Sequence, residues 1–505
     1  MASIQLLYVE NIISRRNKSV QQKLTFYVRV GNLGFNKQVD VLWSSADGAW
    51  QTLAARFHSR RGETQELWFA EIKQTQTTKK PLPGTIQFSL RYRVNGEEFW
   101  DNNNGWNYVS EVDSGIKTGG NKLISNISFA DRLTDSQKSI PIQIAVNQSL
   151  AVEKVIIHWT KDNWKHTFKT PCFLKTEQRQ KTTGSVVDKL NPFGIQTWTG
   201  HIKFRNAFRI QYCVACECKN QTYWDNNNGG NYELSRKPLT VMILNLHCYQ
   251  EENQDFKLSQ IARAIDEREA DIVCLQEVAE QWNNGVGDWD SNSAKIINDR
   301  LKRPYHLYTD WSHLGFDKYR EGVAILSRFP MGNQESRYVS DSHDAYSIHS
   351  RKVVMAQIHL PYLGLINLFS AHLSWIEDGF KEQFNRLSDW AESRQSEEVK
   401  ATLLCGDFNI AAGSEGYCLV VDAHQYDDQF LAANAPGVFD KIFKVSDAHW
   451  QHYLADDYRI DFIFMHKDSE LKVTSGTVLF TDGDYGRVSD HCGYLMTFEP
   501  RVPAP

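Results

Sequence analysis

The sequence predicts a multidomain chain, two β-sandwich modules followed by an α/β sandwich, and three observations carry that expectation. A ten-residue string recurs, FWDNNNGWNY at 99–108 and YWDNNNGGNY at 223–232, with the two matching tryptophans 124 residues apart. Before each copy the apolar residues alternate with a period of two, as half-buried strands do. From Pro238 onward the rhythm changes to short continuous apolar runs separated by helical patterns. A length of 505 residues fits about three domains at ~100–200 residues each. A composition of 41% hydrophobic and 23% charged residues is that of a folded soluble chain, which excludes disorder, collagen and coiled coil.

Both repeats carry the same upstream order. A short apolar strand ends in tryptophan (VDVLW at Trp43, VIIHW at Trp159), a second tryptophan follows closely (Trp50, Trp164), and a third lies midway (Trp68, Trp198). A period-two strand then precedes the Asn-rich turn, TIQFSLRYRV in one copy and AFRIQYCVAC in the other. Each unit of about one hundred residues is most simply a β-sandwich, over residues 1–112 and 138–236. The polar segment 113–137, containing GIKTGGNK, reads as a linker. Cys213, Cys216 and Cys218 form C-x2-C-x-C, a spacing that could hold metal, but the strand alternation and the lack of a second ligand pair favour core packing. Cys248, Cys274, Cys405 and Cys492 sit inside apolar stretches, as reduced core cysteines do.

Residues 238–500 begin with the strand run LTVMILNLH, the helical pattern FKLSQIARAIDERE and the strand run DIVCLQEV. Alternation continues through GVAILSRF, LINLFSAHL, a helix from Gly379 to Lys400, TLLCGDFNI, IDFIFMH and GYLMTFE, which reads as an α/β sandwich with polar loops at its strand ends. The net charge of -5 hides opposite halves. Residues 1–240 hold 32 Lys/Arg against 20 Asp/Glu, a formal +12, and the remaining 265 hold 24 against 41, a formal -17. An acidic half repels a polyphosphate, which disfavours nucleic acid as partner. No apolar run approaches the ~20 residues of a membrane span, and MASIQLLYVENIISRR lacks an apolar core followed by a cleavage site. A cytoplasmic location without membrane contact is the expectation.

Polar residues recur directly after these strands: Asn245 and His247, Glu277, His372, Asp407 with Asn409, Asp461, and the pair Asp490 and His491. Each alone reads as a cap or a solvated strand end. Together they form the set of carboxylates, amides and imidazoles that a hard, oxygen-liganded cation and a phosphate ester require. Mg²⁺ is the expected cofactor, with Mn²⁺ as the alternative.

The segments ILNLH, CLQEV, GVAILSRFP, FSAHL, GDFN, IDFIF and SDH, in this order over 239–500, closely resemble the endonuclease/exonuclease/phosphatase superfamily. The resemblance implies the DNase I-like four-layer α/β sandwich and in-line attack of water on phosphorus without a covalent intermediate. It implies metal ligation by Glu277 with Asn245 and Asp490, and activation of water by Asp407 with Asn409 holding the phosphate. By the same resemblance, His491 paired with Asp461 contacts phosphoryl oxygens or moves a proton, and His372 faces the phosphate and protonates the leaving oxygen. His247, His313, His343 and His349 are left as ordinary or peripheral. The strings LNLHCYQEENQ, WNNGVGDWD, YREGVAILSRFP and FSAHLSWIEDGFKEQF are similar to bacterial maltose phosphate phosphatases within that superfamily. Trp375, Glu377 and Asp378 suit a sugar site, since an indole stacks on a pyranose face and carboxylates accept hydroxyl protons. A surface helix start is the competing reading of Glu377 and Asp378. Arg320 and Glu321 are expected beside them.

The two WDNNNG copies resemble the glycogen- and starch-binding modules of glycogen-targeting phosphatase subunits. That resemblance implies glucan sites at Trp100, Asn102, Asn104 and Tyr108, and at Trp224, Asn226, Asn228 and Tyr232, with Trp43, Trp50, Trp159 and Trp164 extending the aromatic platforms. An Asn-rich turn beside a core tryptophan is the alternative, and Trp106 in one copy where the other has Gly230 marks a difference between them. The expected function is a Mg²⁺-dependent phosphatase acting on a phosphorylated maltose, maltodextrin, glycogen or starch. A glucan polymer and a phosphorylated sugar are the expected partners. A DNase I-like nuclease or other phosphodiesterase, or an inactive glucan-binding scaffold, are the alternatives.

Overall fold

The structure, a computed structural model, describes residues 3–501 other than 17–18, 46–47, 62–63, 79, 121, 131, 176–177, 181–185, 189–193, 220, 248, 284, 316, 423–424 and 435–458. It divides into two compact units, residues 1–236 and 237–504.

The first unit holds both repeats, and each is a pair of antiparallel sheets closed over one apolar core. In the first repeat one sheet contains Ile4–Arg16, Ser19–Gly31 and Gln65–Thr75, and the facing sheet contains Lys37–Ser44, Ile86–Val94 and Glu97–Asp101. Alternation sends Phe88, Leu90 and Tyr92 inward and Gln87, Arg91 and Arg93 outward. The second repeat is built alike around Ile142, Ile144, Ile157, Tyr212 and Val214. The segment read as a linker is used differently: Gly115–Thr118 pairs with the first strand of repeat one, and Ile124–Asn126 opens repeat two. Its apolar minority explains this. Ile116, Ile127 and Phe129 pack with Tyr8 and Tyr27 in a small cluster shared by the two repeats, and the Tyr8 hydroxyl donates to the Ile127 carbonyl at 3.3 Å.

Cys213 and Cys216 are buried thiols in the strand Arg209–Cys218, with Cys218 half-buried beside them, so this triplet packs as strand residues. Cys274 and Cys405 are likewise buried and free, Cys492 is half-buried, and Cys248 lies outside the described residues.

The second unit is a four-layer α/β sandwich. One sheet has the order His306–Gly315, Tyr319–Ser327, Ile272–Asn283, Leu239–Asn245, Gly493–Pro500, Leu471–Leu479. The other has the order Met331–Tyr338, Lys352–Leu360, Gly364–His372, Val399–Asp407, Asp461–His466, Tyr426–Asp428. Each contains one parallel pair joined by a helix, Gln254–Glu267 in the first sheet and Phe380–Glu392 in the second. Strands buried on both faces are near-continuously apolar, and Leu239–Asn245 is buried throughout, with only Thr240, bonded to Asp271, and the terminal Asn245 polar. Val241, Ile243 and Cys274 face Leu368, Leu403 and Cys405 between the sheets, while Met242, Leu244 and Val273 pack on Leu258, Ile261 and Ile265 of the first helix. The second helix ends at Glu392, short of the expected Lys400, because Val399 already begins a strand. Among the described residues no helix is long and apolar enough to cross a membrane.

Candidate active site

Strand register assembles the site. Asn245 ends one parallel strand opposite Gln276, and Glu277 follows Gln276 at a bulge between Leu275 and Val278. On the facing sheet His372, Asp407 and Asp461 are paired across three adjacent strands. The carboxyl ends of both parallel pairs therefore open into one cavity of about 340 Å³, lined among others by Glu277, His372, Asp407, Asn409, Asp490 and His491. Three non-glycine residues at these strand ends have left-handed backbone, His247 (φ 45°), Glu277 (φ 47°) and Asn409 (φ 50°), a conformation that costs of order 1 kcal/mol and gathers at functional sites.

Gly406 explains the glycine of GDFN. Its φ is 135°, and a Cβ there would overlap the Ala371 carbonyl and crowd the Gln276 amide. Gly406→Ala is expected to lower stability by at least about 2 kcal/mol, read as a fall in melting temperature.

Asn245 holds two carboxylates in place. Its Nδ2 donates to Glu277 Oε1 at 2.9 Å and to Asp407 Oδ2 at 3.0 Å, while its Oδ1 accepts the His247 backbone N–H at 3.0 Å. That last bond fixes which amide atom faces the cavity. Asn245 is thus placed as the donor that orders Glu277 and Asp407, where the sequence suggested an oxygen ligand. Asn409 donates its side-chain N–H to the Leu373 carbonyl at 2.8 Å and its backbone N–H to Asp407 Oδ1 at 2.9 Å.

Burial and like charge dominate the electrostatics. Glu277 is pushed up to about 7 by burial and by Glu321 and Asp490, and Asp407 is pushed up to about 7 by burial and by Asp461. Burial would pull His491 down, but Asp461 at 2.9 Å from its Nδ1, with Asp407 and Asp490 beyond, holds it well above the ordinary imidazole range. His372 differs. Burial, then the Arg351 guanidinium 3.2 Å from its Nδ1, then His313 and His491, hold it well below that range. That direction runs against the acid role that the resemblance implied; His372 Nε2 lies 3.7 Å from Asp407 Oδ2.

Crowded, buried carboxylates with raised proton affinity are a donor set suited to a divalent cation, whose charge relieves the repulsion. Among the described residues, the groups close enough to share an ion are Glu277 with His372 and Asp407, His247 with Glu251 and Asp490, and Asp407 with Asp461 and His491.

Trp375 lines this cavity, but Glu377 and Asp378 do not. They are exposed on the short turn Ile376–Asp378 leading into the helix Phe380–Glu392, the competing reading of those two. Glu321 reaches the cavity and Arg320 does not; neighbours on a strand point to opposite sides. Sequence reasoning missed Arg351 and left His247 and His313 as ordinary or peripheral; all three line the cavity. Arg351 stands just before the strand Lys352–Leu360, with no motif around it, and only folding brings it to His372.

In the modules, the Asn-rich turns are built from left-handed residues. Asn103, Asn104 and Asn107, like Asn227, Asn228 and Asn231, have φ of 52–58°, and Asn102 and Asn226 accept the N–H of the following glycine at 2.9 and 3.0 Å. Trp100 and Trp224 are 45% and 52% exposed. The Arg91 guanidinium lies 5.7 Å from the Trp100 ring, and the His158 ring lies 5.0 Å from that of Trp224. Tyr108 and Tyr232 are buried instead, stacked on Phe88 and Tyr212, and donate to Asp101 and Asp225. These aspartates also accept the Leu6 and Asn126 backbone N–H groups, so the Asp-Tyr pair ties the turn to the first strand of its repeat. Trp43 and Trp159 are core residues at 6% exposure and extend no platform. Trp50 is half exposed and Trp164 half-buried.

Residues 242–491 match the endonuclease/exonuclease/phosphatase family, and residues 4–111 and 125–235 each match the carbohydrate/starch-binding module of family 21. Over 81 residues the chain is 42% identical to protein phosphatase 1 regulatory subunit 3E of Mus musculus, covering 16% of this chain and 28% of that protein. Over 179 residues it is 30% identical to the uncharacterized protein YbhP of Escherichia coli, covering 34% and 66%. The chain therefore spans less than two thirds of these relatives. Among solved structures, an endonuclease/exonuclease/phosphatase family protein from Leptotrichia buccalis aligns at 27% identity and TM-score 0.46, over 52% of this chain and 99% of that one. A mannosyl-6-phosphatase of Bacteroides thetaiotaomicron aligns at 16% and 0.39, over 52% and 99%.

Proposed function

Because the chain carries an endonuclease/exonuclease/phosphatase family domain behind two family-21 carbohydrate-binding modules, we propose that it is a metal-dependent phosphomonoesterase acting on a phosphorylated maltodextrin, maltose or glycogen- or starch-type glucan. Residues 1–112 and 138–236 are the glucan-binding units and 238–500 the hydrolytic one. The observation that carries this reading is the union on one chain of two starch-binding modules with a cavity in which Trp375 stands beside the buried carboxylates. An indole offers a face to a sugar ring, and a cavity that holds both the ring and a phosphate suits a sugar monoester.

In this reading Glu277 and Asp490 would hold Mg²⁺ or Mn²⁺, which would supply charge neutralisation at the phosphate. The protonated His491 and the Arg351 guanidinium donate to phosphoryl oxygens, with Asp461 keeping His491 charged and oriented. Asp407, with proton affinity near neutrality, takes a proton from the attacking water. Asn245 and Asn409 position Asp407 through their N–H groups, and His372 contacts the phosphate in its neutral form. Two modules on one chain raise the apparent affinity for a long glucan through effective concentration.

The test is release of inorganic phosphate from maltose phosphate and from phosphoglucan, beside nicking of plasmid DNA, with Mg²⁺ and with chelator. Metal-dependent phosphate release without nicking is expected. Plasmid cleavage without phosphate release sinks the reading. Arg351→Ala is expected to raise KM and lower kcat/KM by about 10–100-fold, since it removes a charged donor worth roughly 1.5–3 kcal/mol.

A further inference from the structure

A second cleft of about 220 Å³ opens in the hydrolytic domain, lined by Glu280, Trp289, Asn292, Asp310 and Arg320. It is separate from the catalytic cavity, which the neighbouring Glu321 lines. Its wall is fixed. The Arg320 guanidinium lies 5.3 Å from the ring centre of Trp282 and 5.4 Å from that of Trp311, and it pairs with the buried carboxylate of Glu280. The other oxygen of Glu280 accepts the Asn292 amide at 3.3 Å, and Nε of Arg320 is buried with no hydrogen-bond partner among the described residues. Gly287 completes the wall, because any Cβ there would overlap both the guanidinium and the Glu280 carboxylate. At the rim, Trp289 is 48% exposed.

A large indole left exposed beside ordered donors and acceptors has the chemistry of a pyranose site. The ring's C–H face covers the indole, and its vicinal hydroxyls exchange hydrogen bonds with Arg320, Asn292 and Asp310. Glu280 is neutralised by Arg320 and Asp310 by Lys352 at 2.9 Å, so no cation of the lining is left over for an anion; the cleft suits the neutral part of a sugar and holds about one ring. We propose that this cleft binds one glucosyl unit of a neutral α-glucan outside the catalytic cavity; the choice of an α-glucan rests on the glucan-directed function above.

The experiment is hydrogen–deuterium exchange of the full chain in chelator, with and without maltotetraose. Slower exchange is expected in peptides covering 280–292 and 308–321, in the natural sequence and equally in Trp100→Ala/Trp224→Ala. That protection is expected to vanish in Trp289→Ala and to weaken in Gly287→Ala, which displaces the Arg320–Glu280 pair without touching the indole. Unchanged exchange in these peptides while 223–232 becomes protected overturns the proposal, as does protection that persists in both cleft variants. Maltotetraose bears no phosphate and the chelator removes metal, so protection here in a protein that releases no phosphate supports the cleft and counts only against the hydrolase reading.

Discussion

Asp407→Asn is expected to lower kcat for phosphate release by about 10²–10⁴-fold, the range for loss of a general base, while the domain still folds. Asparagine keeps an oxygen for the Asn409 backbone N–H but can no longer accept a proton from water. The same residue predicts a pH effect on stability. A carboxyl whose folded pKa lies above its ordinary value binds its proton more tightly in the folded state, so its favourable contribution is complete below that ordinary value and is lost as pH rises through the folded one. Asp407, pushed from 3.8 to about 7, and Glu277, pushed from 4.5 to about 7, act in the same direction. In chelator the melting temperature is therefore expected to drop from this source between about pH 4 and pH 7. Mg²⁺ should oppose that drop by favouring the ionised carboxylates, and Asp407→Asn should shrink it. A melting temperature that depends on pH identically in natural and Asp407→Asn protein, with chelator present, would contradict the assigned electrostatics.

Trp159→Ala is expected to cost about 3–5 kcal/mol, the range for truncating a buried tryptophan. Trp159 stacks on Phe168 at 4.6 Å, donates from Nε1 to Thr170 at 3.0 Å and belongs to the core of the second module. Trp224→Ala is expected to change stability by no more than about 0.5–1 kcal/mol, because half of that indole already faces solvent. Glucan binding should follow the opposite order. Trp100→Ala/Trp224→Ala should lose co-sedimentation with glycogen at an unchanged melting temperature, whereas Trp159→Ala should lower the melting temperature first. If the exposed pair can be removed without loss of pelleting, the modules hold glucan elsewhere.

The contrast between Trp159 and Trp224 shows where sequence reading stops. Both stand at strand positions within an aligned repeat, and nothing in their spacing says which faces inward; pairing register decides it. The Asn-rich turns mix roles for the same reason, since an asparagine suits a left-handed turn and a sugar hydroxyl equally well. In the hydrolytic domain, Glu277, Asp407 and His491 were legible because each directly follows or precedes an apolar strand. No polar motif surrounds the start of Lys352–Leu360, so nothing local marks Arg351 just before it. Glu377 and Asp378 lie directly beyond Trp375 in sequence, yet the turn that brings Trp375 to the cavity carries them out to solvent.

By itself the sequence determined the order of domains, the duplication of the tryptophan–asparagine motif and the strand-end polar residues that gather in one cavity. These follow from local periodicity and from residues fixed by short-range backbone geometry. Only the tertiary structure decided which aromatic rings are exposed, that burial and Arg351 push His372 down while Asp461 holds His491 up, and that Arg320 and Glu321 serve different cavities. Burial and distance to charges from other strands set these properties, and both arise from contacts between residues far apart in the chain.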